Sequence, residues 1–255
     1  MAAKKQKFII IGSGRSGSTM LKNLLRSHPH ITCFGELLNY KKILWDYENF
    51  NNVYNTGEIH NVRNSNPTEF IKMVYSLIDD VELFAIGFKS LYAHFDYSRN
   101  FKSILLYLLE QPDIKFLHNK RRNLFKTFCS YKIAAERTKQ GKFMNAYDKD
   151  DVEHSIQIYI NYDACLNFFE KTKKMEAKYD QIFKDNSMID VFYEDLAKKT
   201  GFEMKKVLNF IGVDYAPLSL STYKVRRQPI SEVVVNYQEL KKKFNDVGFG
   251  EYFVE

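Results

Sequence analysis

Phe8-Ile9-Ile10-Ile11-Gly12-Ser13-Gly14-Arg15-Ser16-Gly17-Ser18-Thr19-Met20-Leu21 decides how this chain folds. Four consecutive apolar residues, Phe8 to Ile11, three of them β-branched, read as a short strand buried on both faces, as inside a parallel sheet. Gly12, Gly14 and Gly17 let the backbone turn tightly and approach a ligand without Cβ atoms in the way. From Ser18 a helical pattern begins, with Leu21, Leu24 and Leu25 on one side and Ser16 or Ser18 as the expected cap. Strand, glycine loop and helix in that order direct backbone N–H groups and the positive end of a helix at one point. Such a point is an anion site, most often for phosphate.

The loop has the Gly-x-x-x-x-Gly spacing of a Walker A motif, but Ser18 stands where that motif requires lysine. The cation is Arg15, three residues earlier. Without the lysine that reaches the β- and γ-phosphates, a P-loop kinase or other nucleotide-binding protein is the weaker alternative. The run Gly-x-x-Arg-Ser-Gly-Ser-Thr resembles the 5′-phosphosulfate loop of sulfotransferases, enzymes that use 3′-phosphoadenosine 5′-phosphosulfate (PAPS). The similarity continues through Leu24-Leu25-Arg26-Ser27-His28-Pro29-His30-Ile31 to Gly35-Glu36, a run like that of the bacterial carbohydrate and tyrosylprotein branches.

At 255 residues and 45% hydrophobic, the chain can bury a substantial core, and a single domain over residues 1–255 is expected. A net charge of +7 suits an anionic ligand. The basic runs, at Lys4-Lys5-Gln6-Lys7, Lys171-Thr172-Lys173-Lys174 and Lys241-Lys242-Lys243, are dispersed and no nucleic-acid motif accompanies them, so no nucleic-acid partner is expected. Cys33, Cys129 and Cys165 are too few and too far apart for a disulfide framework or a zinc site, and their odd number fits a reducing compartment. No apolar run reaches the length of a transmembrane segment and the N-terminus lacks a signal-peptide core. The expectation is a soluble, cytoplasmic enzyme.

Along the chain, Asn49 to Pro67 reads as a long polar loop, followed by a helix near Thr68 to Ile78. Further strands are expected at Ile31 to Phe34, Phe84 to Lys89, Ile114 to His118 and Met188 to Tyr193. Helices are expected at Phe101 to Glu110, Leu124 to Gln140, Asp150 to Phe183, Gly201 to Ile211 and Tyr237 to Phe244. Strands alternating with helices imply an α/β, P-loop-like three-layer sandwich around a central parallel sheet.

The resemblance implies a set of roles. Gly14, Arg15, Ser16, Gly17, Ser18 and Thr19 would hold the 5′ end of PAPS. Arg15 would also stabilise charge on the departing phosphate, more in the transition state than in the ground state. Glu36, which matches the proposed base of related branches, would take the proton from an acceptor hydroxyl; its alternative role is to cap a helix starting at Leu37-Leu38. Lys89 matches a family lysine thought to contact the transferring group, and an ammonium at the end of a core strand is costly unless it meets an anion. His94 is the rival base, because cytosolic small-molecule sulfotransferases use a histidine just after this strand. Arg122 and Ser130, an arginine after a core strand and a serine eight positions on, fit the family's 3′-phosphate site; Arg121 is the alternative, and Leu124 stands where the family often has proline. Tyr193-Glu194-Asp195-Leu196 resembles a segment whose tyrosine approaches the adenine. Arg226 and Arg227 precede Asn236-Tyr237-Gln238-Glu239-Leu240, which is similar to the tail of bacterial carbohydrate sulfotransferases, and would bind the cofactor by closing over its 3′-phosphate. The implied activity is sulfuryl transfer from PAPS, leaving PAP, to a hydroxyl of a carbohydrate or glycolipid, with no metal required.

Overall fold

The structure is a computed structural model that describes residues 5–77, 83–143, 156–220 and 228–254. Among the described residues, five strands form one parallel sheet: β1 (Gln6–Gly12), β2 (Ile31–Glu36), β3 (Ala85–Leu91), β4 (Ile114–Lys120) and β5 (Met188–Phe192), in the order β2-β3-β1-β4-β5. The all-apolar β1 is central, and Phe8 to Ile11 are each fully buried. Burying each such side chain contributes roughly 1.5–3 kcal/mol. β1 and its neighbour β4 send their connections in opposite directions across the sheet, one toward β2 and the other toward β5. In open parallel sheets ligands bind beyond the strand ends at such a switch point.

The helices are α1 (Ser18–Arg26), α2 (Glu48–Tyr54), α3 (Gly57–Ser65), α4 (Pro67–Ser76), α5 (Tyr92–Phe95), α6 (Arg99–Leu109), α7 (Leu124–Lys139), α8 (Tyr162–Ile182), α9 (Tyr193–Lys198), α10 (Thr200–Ile211), α11 (Ile230–Val233) and α12 (Tyr237–Asp246). The alternation of helices with the strands of one parallel sheet gives the P-loop-like α/β fold expected from the sequence.

The chain divides into two compact units. The first covers Met1–Lys120 and Lys178–Leu220 and contains the whole sheet. In its core, Phe8 and Ile10 of β1 meet Leu21, Leu24 and Leu25 of α1 together with Leu117, Val191, Leu196 and Leu208. The second unit, Arg121–Ala177 with Ser221–Glu255, has its own core, built from Phe125 and Phe128 of α7, Phe169 of α8, and Tyr237, Leu240 and Phe244 of α12.

Two expectations are corrected. The segment from Asn49 to Pro67 is not a loop but contains α2 and α3. Aromatic side chains outweigh its asparagines: Phe50 stacks on Trp45 and packs edge-on against Phe34, while the Thr56 hydroxyl caps α3 by accepting from the Ile59 amide. Of the long helix expected from Asp150 to Phe183, residues 150–155 lie outside the described residues, and the helix starts at Tyr162. Ile158 instead bridges to Val234, and the Asn236 side chain bonds both backbone groups of Ile160, so that backbone is held extended up to the helix. The Asn161 side chain then accepts from the Ala164 amide.

Candidate active site

The glycine loop follows β1 as expected, with one correction to its capping. Gly17, in the left-handed region at φ 91°, is the residue that caps α1, and no side-chain hydrogen bond caps the helix among the described residues. Ser18 is already helical, and the buried Ser16 hydroxyl lies 2.7 Å from the Ser13 carbonyl and 2.9 Å from Asn119 Oδ1, sharing its proton between them. Ser16 thus ties the loop to β4; the Met20 amide already donates to the Gly17 carbonyl at 2.9 Å, so the helix start offers the Ser18 and Thr19 amides to a ligand. A Cβ at Gly17 would come within 2.3 Å of the Tyr193 ring, which places the tyrosine expected at the adenine directly against the loop. Arg15 is also left-handed, at φ 57°, a conformation that is uncommon outside glycine and concentrates at functional sites. Gly14 precedes Arg15 in the same turn.

Glu36 and Lys89 meet beside this loop. The ladder of β2 and β3 shifts register between Phe34 and Glu36, and the irregularity at Gly35 sets Glu36 opposite Lys89. Bulges of this kind re-aim side chains near active sites. Gly35 admits no side chain, since a Cβ there would stand 2.6 Å from both the Asp46 carboxylate and the Leu44 carbonyl. Lys89 Nζ pairs with Glu36 Oε1 at 2.9 Å and donates to Thr19 Oγ1 on α1 at 3.2 Å, so one ammonium links the carboxylate to the phosphate loop. The other carboxylate oxygen accepts from Asn39 Nδ2 at 3.1 Å. Burial works to raise the Glu36 carboxyl, but the Lys89 ammonium and the hydrogen bonds from Lys89 and Asn39 outweigh it and hold it below its ordinary value. The group is therefore a carboxylate at neutral pH. No helix follows it, because Leu37 and Leu38 form a turn, and the capping role is excluded.

His94, on α5, lies with Nε2 3.6 Å from Glu36 Oε2. Its Nδ1 accepts from the Leu91 amide at 3.2 Å, which assigns the neutral ring's proton to Nε2, facing the carboxylate. Burial, helped by Lys89 and Arg63 against the pull of Glu36, pushes the ring down to about 4. In this tautomer His94 has no free lone pair toward Glu36 with which to act as a base.

Arg122 and Ser130 belong to the second unit, Arg122 just before α7 and Ser130 within it. Asn123, between them, caps α7 by accepting from the Lys126 amide and donates to the Tyr252 carbonyl. Arg226 and Arg227 lie outside the described residues.

A second polar cluster was not expected from the sequence. Registered partners on β4 and β5, His118 and Asp190 share a sheet face with Lys120, and Asp180 of α8 joins them. Lys120 Nζ lies 2.7 Å from Asp180 Oδ1 and 3.0 Å from Asp190 Oδ1. Burial pulls this ammonium down, but the two carboxylates outweigh it and hold it above its ordinary value. Ligand atoms of His118, Asp180 and Asp190 lie within 4.8 Å of one another, close enough for a cation to bridge, and the Lys120 ammonium already supplies positive charge there. The cluster's members come from β4, β5 and α8, so no local sequence pattern announces it.

Comparison with known proteins shows the fold and the family. A solved sulfotransferase from Alicyclobacillus acidocaldarius has the same fold, with a TM-score of 0.52 and 14% identity over 98% of this chain and 95% of its own. Nodulation protein H of Rhizobium meliloti (strain 1021) is 23% identical over 252 residues, covering 97% of this chain and 95% of the relative. No helix among the described residues is long and apolar enough to cross a membrane. The sulfotransferase family model matches residues 7–217, a span that takes in the glycine loop, Glu36, Lys89 and all five strands, and the chain accordingly belongs to the sulfotransferase family as a sulfuryl-transferring enzyme.

Proposed function

We propose that this enzyme takes its sulfuryl group from PAPS and transfers it to a hydroxyl of a carbohydrate or glycolipid, with Glu36 as general base. The observation that carries this is the chain of contacts from Thr19 through Lys89 to Glu36, which sets a deprotonated carboxylate beside the phosphate loop. PAPS supplies an activated sulfuryl group on a good leaving phosphate. Glu36 accepts the acceptor's proton as its oxygen attacks sulfur in line. The depressed carboxyl is fully ionised at neutral pH, and Asn39 holds its second oxygen in place. Lys89 and Arg15 provide fixed positive charge where negative charge develops, so no metal is needed for that purpose. The first-turn amides of α1 with Gly14, Ser16, Ser18 and Thr19 hold the 5′-phosphate, and Tyr193 approaches the adenine. Arg122 and Ser130 bind the 3′-phosphate; support for these two comes from the sequence resemblance. The whole chain works as one catalytic domain, in the reducing cytoplasm that its cysteine content suggests. The acceptor class rests on the likeness of Gly35-Glu36 and of the Asn236 to Leu240 tail to carbohydrate-type enzymes. The test is incubation with radiosulfur-labelled PAPS and a range of sugars and simple alcohols. Labelled product accompanied by PAP supports the proposal, and PAPS left intact with every acceptor contradicts it.

A further inference from the structure

Tyr40 and Tyr97 stack on each other, with ring centroids 4.9 Å apart and planes 18° from parallel. They leave the same ends of β2 and β3 that carry the reactive groups, Tyr40 four residues after Glu36 and Tyr97 three after His94. Both are about half exposed, at 49% and 54%. Exposed tyrosines normally move freely, and these two are fixed from below. The Arg63 guanidinium, only 1% exposed, donates to the carbonyls of Asn39 and Tyr40 and also to Asn64 Oδ1. Tyr97 stands edge-on against the buried Phe101 at 5.5 Å. Asn39, whose carbonyl Arg63 holds, is the same residue that donates to Glu36 Oε2. The aromatic pair is therefore built rigidly into the turn that positions the base.

The geometry points to the Tyr40–Tyr97 pair as the acceptor subsite, a wall on which the pyranose ring of a neutral oligosaccharide lies while one of its hydroxyls reaches Glu36. This rests on the sulfotransferase reading above. A pyranose has an apolar C–H face, and that face packs on the outer face of a stacked aromatic pair.

The test uses the full-length enzyme loaded with PAP and a panel of neutral tetrasaccharides of glucose, galactose, mannose and N-acetylglucosamine. Saturation-transfer NMR should show at least one of them bound through its ring C–H protons, and that sugar should be sulfated when PAPS replaces PAP. Tyr40→Ala and Tyr97→Ala should each raise KM for it about tenfold with kcat changed less than about twofold, the size expected for losing one aromatic anchor. Tyr40→Phe and Tyr97→Phe, which keep the ring, should restore the wild-type KM, so a general folding defect is separated from loss of the wall. The inference is overturned if no sugar of the panel binds while a ringless diol or a tyrosine peptide is sulfated, or if the alanine variants leave KM unchanged. Failure of PAP itself to bind, seen before any sugar is added, overturns the underlying reading and the subsite with it.

Discussion

Glu36 and Lys89 face each other across neighbouring parallel strands, joined at 2.9 Å in a pair whose side chains are only 18% and 10% exposed. An undistorted ladder would set Gly35, not Glu36, against Lys89; the register shift after Phe34 supplies the extra residue. The pairing explains how a buried carboxylate stays ionised and how it is tied to α1, since the same ammonium reaches Thr19. Carboxylate, ammonium and the first turn of α1 are thus parts of one hydrogen-bonded unit.

Replacing Glu36 by glutamine keeps the shape, leaves one acceptor oxygen where Lys89 and Asn39 now use two, and removes the carboxylate proposed to take the proton. Turnover should fall roughly 10²–10⁴-fold, the usual contribution of a general base, while PAP affinity measured by calorimetry stays nearly the same. Normal turnover in this variant would remove Glu36 from the mechanism.

The Gly35 irregularity can be tested on its own. In Gly35→Ala the new methyl meets the Asp46 carboxylate and the Leu44 carbonyl, and the strand end must shift. Unfolding experiments should show a loss of about 1–3 kcal/mol, with kcat reduced as Glu36 is displaced. Gly57→Ala, where a Cβ meets nothing within 4 Å, is the matched control and should change stability by no more than about 0.5 kcal/mol.

His94 and His118 are both pushed down to about 4, in each case by burial first; Lys120 adds to the effect at His118 while Asp180 and Asp190 oppose it. In the unfolded chain the same rings take up protons near their ordinary 6.5. Between these values the unfolded state binds more protons, so stability must fall as pH falls. Urea unfolding should show a loss of about 1–2 kcal/mol per histidine between pH 7 and 5. Glu36, with its depressed carboxyl, adds a further loss at lower pH, as its folded-state value is passed. A stability that is flat from pH 7 to 5 would show that these rings are not held neutral.

Arg122→Ala should weaken PAP binding about 10–100-fold, the effect of removing one charge-assisted contact to phosphate, with little change in folding stability. Unchanged affinity would move the 3′-phosphate contact to Arg121.

The sheet, its parallel pairing and the glycine loop were legible because short-range patterns determine them: four apolar residues followed by a glycine-rich turn, and strands separated by helices. Glu36 and Lys89 were legible one at a time, each as the end of an apolar run. Their pairing was not, since it depends on a one-residue slip whose only mark in the sequence is a glycine inside a strand. The α2–α3 region was misread because its polar composition hid a few aromatic residues that anchor it to Trp45 and Phe34. The start of α8 was misplaced because Asn236, 76 residues after Ile160, holds that backbone extended. The tautomer of His94 follows from a single amide, Leu91, and no sequence pattern encodes it.

The most direct measurement is a calorimetric titration with PAP in EDTA, run beside ATP with magnesium. The account predicts tight PAP binding without metal and far weaker ATP binding, because the loop offers Arg15 and helix amides where a nucleotide triphosphatase would offer lysine. Binding of ATP with magnesium but not of PAP would contradict it and return the loop to the kinase alternative.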